Sequence, residues 1–395
     1  MANNSAVDVS TNILAQDNES GVNTVKYAWS VSNEQQPDEL GWTVLQNNTQ
    51  IVKSLEGGTY YLWVKVTDNA GNELISVSEP YYINYEIKYN KNGAVEDFST
   101  SDKKVFNEDI IIKDNVLTKP GYVHMGWNTS AEGTGVHYDF GSTYKENSAI
   151  ELFAQWETAV ASCTIDGNVT YYMNVQDAIN SSENNTATIT ILKTSVVENI
   201  VVNENQNITL DLNGKTLSSN TGNGIENSGT LIITDSIGTG VLSNSANSVI
   251  LNKLNSSLTI NNITINSTGN NGIVNDESAT NAKIVINSGN INVTASDESN
   301  QTTISAIKAG AGNVTINGGT INVDSNNTGK TVYSINSDSA NVDITSENAV
   351  IHGTINALNG SNVTIENGIR DNGNENMETI INTSSNVTIK NGTMK

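Results

Sequence analysis

Residues 313–323 read NVTINGGTINV, and variants of that string recur through the rest of the chain's C-terminal part. They stand at 207–217 (NITLDLNGKTL), 255–265 (NSSLTINNITI), 282–293 (AKIVINSGNINV), 361–369 (SNVTIENGI) and 385–394 (SNVTIKNGTM). Each couples alternating aliphatics to a turn at Asn-Gly or a similar pair. Alternation of period two places residues i and i+2 on one face of a strand. Recurrence at the length of one short coil is the sequence form of a solenoid, whose coils stack like on like while the loops between strands vary outward.

The first aliphatics of the units are Leu210, Leu231, Leu258, Ile284, Val314, Val342, Val363 and Val387, spaced 21 to 30 residues apart. Two residues on, a second column reads Leu212, Ile233, Ile260, Ile286, Ile316, Ile344, Ile365 and Ile389. The pattern predicts that both columns point inward and that intervening residues such as Thr315 face solvent. Asn213, Asn261, Asn287 and Asn317 are expected to share one corner, where stacked side-chain amides bond one another. Eight turns at ~4.8 Å each give a rod of about 38 Å. Upstream, NVQDAINSS at 174–182 carries Val175, Ala178 and Ile179 at helical spacing, which predicts a helix capping the open end of the solenoid.

Aromatic residues divide the chain. All five Trp, all four Phe, ten of thirteen Tyr and all three Pro precede residue 157, whereas residues 173–395 hold only Tyr333. The N-terminal part must therefore build aromatic cores and the C-terminal part a core of Ile, Val and Leu. The fold class expected is all-β, in three domains at 1–85, 86–157 and 158–395.

In the first domain, VKYAWSV (25–31), TYYLWVKV (59–66) and PYYINY (80–85) are alternating runs between turn-rich pieces, as in an antiparallel sandwich. Together with DNESGV at 17–22, Trp42 and GGTYYLWVKVTDNAGN at 57–72, the segment resembles the immunoglobulin-like modules of bacterial surface proteins, with its first strand short or missing. Asp17, Glu19, Asp68 and Asn72 have the hard oxygens of a calcium site, but Asp and Asn are also ordinary turn formers, and the turn reading is preferred. Trp29 and Trp63 sit in strand alternation and are read as core. Trp42 joins them as the third tryptophan that can stack on a sugar.

In the second domain, IKYNKNG (87–93), KPGYVHMGWNT (119–129), EGTGVHYDFGSTY (132–144) and IELFAQW (150–156) follow one another. This series resembles the Listeria–Bacteroides repeat, also called the internalin B repeat, which implies a small β-grasp-like module exposed on bacterial surfaces. His124 and His137 lack a third metal ligand at suitable spacing and are read as polar strand or turn residues. Gly126, Gly133, Gly135 and Gly141 mark turns that need unusual backbone angles.

The third domain, from the capping helix through TITILKTSVVENIVVNENQNITLDLNGKTL (188–217) and TLIITDSIGTGVL (230–242), resembles the pectate-lyase-like adhesive β-helix of bacterial surface proteins. A right-handed parallel β-helix is implied, truncated at its C-terminal end.

Many such helices are polysaccharide lyases or glycosidases. A lyase needs arginines and an acidic calcium cluster, whereas this chain has a single arginine, Arg370, in IRDNG, read as a solvated loop. A glycosidase needs two carboxylates at a defined separation. Asp211 and Asp235 lie in successive turns, but Asp211 occupies an outward column. His352 is isolated, and no Ser/His/Asp or Cys/His grouping exists. No catalytic residue, metal site or cofactor is expected, and the ligand-binding residues are unknown.

Nineteen basic residues against 42 acidic ones give a net charge of −23, which disfavours nucleic acid and anionic lipid. With one cysteine, Cys163, no intramolecular disulfide can form. No apolar run reaches the length of a membrane span, and neither an export signal nor an anchor is evident. The resemblances imply a non-enzymatic, extracellular bacterial cell-surface protein acting as adhesin or stalk. Host glycans or surface proteins are the expected partners, without nucleic acid or membrane insertion. The chain is expected to be a monomer and a piece of a longer protein. A β-helix lyase or glycosidase and a phage tail fibre or spike are the alternatives.

Overall fold

The computed structural model describes residues 6–97, 99–326, 328–367, 369–371, 380–383, 385–391 and 393–394. By packing, residues 1–119 and 124–157 form one unit, and residues 120–123 with 158–395 form a second.

In the first unit, the leading strands are β1 (Val7–Ile13), β2 (Val22–Ser30), β3 (Thr43–Leu45), β4 (Thr49–Leu55), β5 (Gly58–Asp68), β6 (Glu73–Val77) and β7 (Tyr81–Ile83). β1 pairs antiparallel with β4, while β3-β2-β5-β6 form a second antiparallel sheet and β7 pairs with β5. The first strand is thus neither short nor missing. All seven residues of β1 pair with β4, and its only fully buried side chain is Ile13, so alternation alone does not reveal it. Ile13, Val25, Ile51 and Leu62 form the core, with Trp29 and Tyr81 packed against it in an edge-to-face contact at 5.0 Å. Trp63 is buried, its indole N–H donating to Ser32 O at 3.0 Å.

The strands that follow are β8 (Tyr85–Asn90), β9 (Ser99–Lys104), β10 (Ile110–Ile111), β11 (Tyr122–Asn128), β12 (His137–Tyr138), β13 (Thr143–Tyr144) and β14 (Ile150–Thr158). Five of them make a mixed sheet in the order β12-β11-β14-β8-β9, with β14 parallel to β8 and β9 antiparallel to it. Ile87, Tyr89, Ile112, Leu117, Trp127 and Leu152 fill the core. Gly126 has φ +105, and an added Cβ would meet Tyr138 O at 2.8 Å, so this position needs glycine on both counts. Gly135 does not have the left-handed angle expected for it. It is small because a Cβ would strike the Thr129 hydroxyl.

The second unit is a parallel β-solenoid headed by a cap. A hairpin of β15 (Ala161–Ile165) and β16 (Asn168–Tyr172) pairs antiparallel with Thr186–Ile191, the first strand of the solenoid's first sheet. Helix α1 (Val175–Asn180) buries Val175, Ala178 and Ile179, as their spacing predicts. Its N-cap Asn174 accepts the Asp177 N–H at 2.7 Å, and the Glu198 carboxylate takes the free N–H groups of Val175 and Gln176 at 2.9 and 2.8 Å.

Three sheets then run along the solenoid, with nine parallel strands in the first, nine in the second and eight in the third among the described residues. The first sheet carries the two predicted columns, with one correction. Leu210 stacks on Ile233, not Leu231, and Ile208 stacks on Leu231. The columns therefore begin Ala187-Ile208-Leu231 and Ile189-Leu210-Ile233, one strand earlier than the repeat pattern shows. NITLDL offers Ile208, Leu210 and Leu212 at equal spacing, and a slip of two keeps every side chain on its face. Leu212 is buried beyond the strand end. From Leu231 to Ile365 both columns run as predicted, each member at most 1% exposed.

Candidate functional site

The solenoid's outward residues are organised into hydrogen-bonded ladders, because stacking coils about 4.8 Å apart brings like side chains within bonding reach. At the corner after the first sheet, Asn287 Nδ2 donates to Asn261 Oδ1 and Asn317 Nδ2 to Asn287 Oδ1, each at 2.8 Å. The Thr345 hydroxyl extends this ladder to Asn317 Oδ1 at 2.7 Å. Asn213 is not a member. It sits in a left-handed turn at φ 48 and donates to Ile191 O at 3.0 Å, and the corresponding column position is Asp211.

The sequence reading missed three further ladders. Asn313, Asn341, Asn362 and Asn386 are linked on the outer face of the first sheet by side-chain amide hydrogen bonds of 2.9 Å. Asn266, Asn292 and Asn322 are linked on the second sheet at 3.1 and 2.8 Å. Inside, Asn227, Asn252 and Asn275 form a ladder with no solvent exposure, linked at 2.7 and 2.9 Å. Their strings IEN, ILN and IVN recur at 225–227, 250–252 and 273–275, a signal that the aliphatic alternation overshadows.

The residues weighed for chemistry are spent on structure. Asp235 is 4% exposed and accepts the N–H groups of Gly214 and Gly240, each at 2.5 Å, and of Ile237 at 3.3 Å. Burial alone would raise its pKa, but the amides of Gly240, Gly214, Ile237 and Gly238 outweigh burial and hold it below the usual carboxylate value. Asp211 accepts from Asn213 N at 2.8 Å and Ser236 N at 2.9 Å. Both carboxylates are turn caps. Arg370 belongs to the strand Ile369–Asp371, pairing in register with Ile351, and not to a loop; its side chain lies outside the described residues. His352 is half-buried and stands in register with Asn322, continuing an outward column. Cys163 is buried in β15.

In the first unit, Asp17 accepts from Glu19 N, Ser20 N and the Ser20 hydroxyl at 3.1, 3.0 and 2.7 Å. Asp68 accepts from Ala70 N, Asn72 N and Asn72 Nδ2, each at 2.8 Å. This is the turn chemistry expected of DNES and DNAGN. Trp42 is half-buried and donates to Pro37 O at 3.2 Å. The two histidines part company. His137 is an edge-strand residue with Nε2 3.1 Å from Asp139 Oδ1. His124 is a core residue, 5% exposed, ringed by Trp127, Phe140 and Trp156 at 4.8 to 5.1 Å, with Nδ1 accepting from Leu117 N at 3.1 Å. Burial pushes its pKa down to about 4. No group of three or more metal-ligating side chains occurs among the described residues.

One concave feature of the solenoid lies where loops leave the second sheet for the third. Segments 245–247, 268–270 and 296–301, from three successive coils, line a polar cleft of about 410 Å³. Buried asparagines root these loops. Asn244 holds Gly222 O and Ser248 O, each at 2.9 Å; Asn270 holds Ala246 O at 2.7 Å; and Asn271 bonds Gln301 Oε1 at 3.0 Å and Ser305 N at 2.7 Å.

Residues 85–155 match the Listeria-Bacteroides repeat domain, in agreement with the resemblance carried by their own motifs. A Gly-rich membrane protein of Evansella cellulosilytica is 33% identical over 66 residues, covering 16% of this chain and 8% of that protein. No solved structure matches the chain.

Proposed function

We propose that this chain is a non-enzymatic part of a bacterial cell-surface protein, displayed outside the cell as an adhesive or stalk-forming β scaffold. Its first module is read as immunoglobulin-like and its solenoid as the pectate-lyase-like adhesive type. The observation that carries the proposal is the fate of the polar side chains. Outward asparagines bond one another in ladders, and the candidate carboxylates Asp211 and Asp235 cap turns, so the ordered polar groups stiffen a surface instead of converging on a reacting atom. The Listeria-Bacteroides repeat at 85–155, and the kinship of a short segment with a protein described as a membrane protein, support placement at the cell envelope. Glycans or surface proteins of a host are the partners this reading assigns, and no cofactor is required.

The test is surface labelling of intact cells of the source organism. An antibody raised against this chain should stain unpermeabilised cells, and brief trypsin treatment should remove the signal. Signal seen only after permeabilisation would refute the display reading.

A further inference from the structure

We propose that the cleft lined by 245–247, 268–270 and 296–301 binds a short neutral oligosaccharide. This proposal rests on the adhesive reading only for the source of the sugar. Three observations carry it.

First, the cleft is built and held rigid. Besides the rooted asparagines, the Ser299 hydroxyl donates to Asn270 Oδ1 at 3.0 Å, and Lys330 Nζ clamps the outermost loop through Ser299 O at 2.7 Å and Gln301 O at 3.0 Å. Gly269, at φ +99, brings the loops together, since an added Cβ would lie 3.2 Å from Ser296 Cβ. Rigid walls lose little entropy when a ligand binds.

Second, the groups facing the opening are unspent. The side chains of Ser245, Asn247, Thr268 and Asn300 make no hydrogen bond among the described residues, although the loops around them are densely bonded. Amides and hydroxyls each donate and accept, which matches the vicinal hydroxyls of a sugar.

Third, the lining excludes other ligand classes. It presents no free cation to hold a phosphate or uronate, because Lys330 is spent on backbone carbonyls; the charges on its loops are the carboxylates Glu298, in the lining, and Asp297 beside it. It has no apolar wall for a lipid or an aromatic ligand, and its volume lies within the usual range of small-ligand sites of about 300–1,000 Å³. Without an aromatic platform the affinity should be low, with Kd on the order of 1 mM. Many displayed copies would multiply it.

The experiment is saturation-transfer NMR on the full chain with maltohexaose, cellohexaose, chitohexaose and mannohexaose. At least one probe should bind the wild type, and Asn247→Ala with Asn300→Ala should weaken it by about tenfold or more with the melting temperature unchanged. Thr209→Ala, on the outer face of the first sheet, should leave binding intact. No binding at about 10 mM of any probe would overturn the cleft. So would binding that survives the double substitution, which would leave a sugar-binding scaffold whose site lies elsewhere. Failure of the display reading shows separately, in the labelling of intact cells.

Discussion

Asn227 donates its side-chain N–H to Oδ1 of Asn252 across 2.7 Å, and neither residue has any exposed surface. A buried amide is costly unless its donors and acceptors are paired, and these are. Asn227 also donates to Ser257 O at 3.1 Å, and Asn252 both to Asn275 Oδ1 at 2.9 Å and to Lys283 O at 3.2 Å. Each ladder member thus ties a strand of the third sheet to the next coil of the first.

Removing the middle member should expose the difference between inner and outer ladders. Asn252→Ala leaves the Asn275 acceptor and the Lys283 carbonyl without that donor, and should cost about 2–4 kcal/mol. Asn287→Ala, in the exposed corner ladder, should cost about 0.5 kcal/mol, because water replaces the lost partners. Urea unfolding of both variants decides it, and equal losses would show that burial does not set the value of the ladder.

The register of the first sheet is open to the same kind of comparison. Ile316 has no exposed surface, so Ile316→Asp places an unpaired charge between stacked coils and should cost at least about 4 kcal/mol. Thr315 faces outward in register with Asp343. Thr315→Lys should therefore change stability by no more than about 0.5 kcal/mol, whereas Thr315→Asp would set two carboxylates side by side. Thermal unfolding that ranks Thr315→Lys with Ile316→Asp would invalidate the register.

Acid should weaken the repeat module through His124. The folded state holds this imidazole neutral, with a pKa of about 4 against an ordinary 6.5. Folding therefore favours the deprotonated form. The contribution is fully present above pH 6.5 and is lost as pH falls from 6.5 towards 4, about 2 kcal/mol after allowing for solvent screening. Glu96 is the charge that most favours protonation, and Lys119 sits over the Trp156 ring at 5.5 Å. Trp fluorescence during denaturant unfolding at pH 7 and pH 4.5 reads this out. In His124→Gln the loss over that window should shrink, and an unchanged loss would point to other groups.

Chelation and hydrolysis assays probe the absence of chemistry proposed above. Asp17 and Asp68 already accept local donors, so EDTA should leave the melting temperature unaltered; a fall of several degrees would reveal a bound cation. Asp235→Ala should cost about 2–3 kcal/mol by stranding the Gly214 and Gly240 amides. No sugar release from pectin, alginate or mucin-type glycans is expected between about pH 5 and 9, the range in which carboxylate and imidazole catalysts act. Turnover lost in Asp235→Ala or Asp211→Asn would establish a catalytic site.

The sequence alone determined what depends on neighbours along the chain. Alternation set the inward columns from Leu231 to Ile365, helical spacing set α1, the aromatic boundary separated the two kinds of core, and local turn chemistry accounted for Asp17 and Asp68. Tertiary structure decided what depends on residues that stacking brings together. Which two of Ile208, Leu210 and Leu212 enter the columns was settled by pairing with the next coil, since a slip of two preserves every face. The membership of the corner ladder, the burial of Asn227, Asn252 and Asn275, and the cleft between three successive loops all join residues more than 20 positions apart. A period-two pattern contains the direction of each side chain but not the identity of its neighbour in the next coil; that neighbour is fixed only when the coils close and the loops absorb their differing lengths.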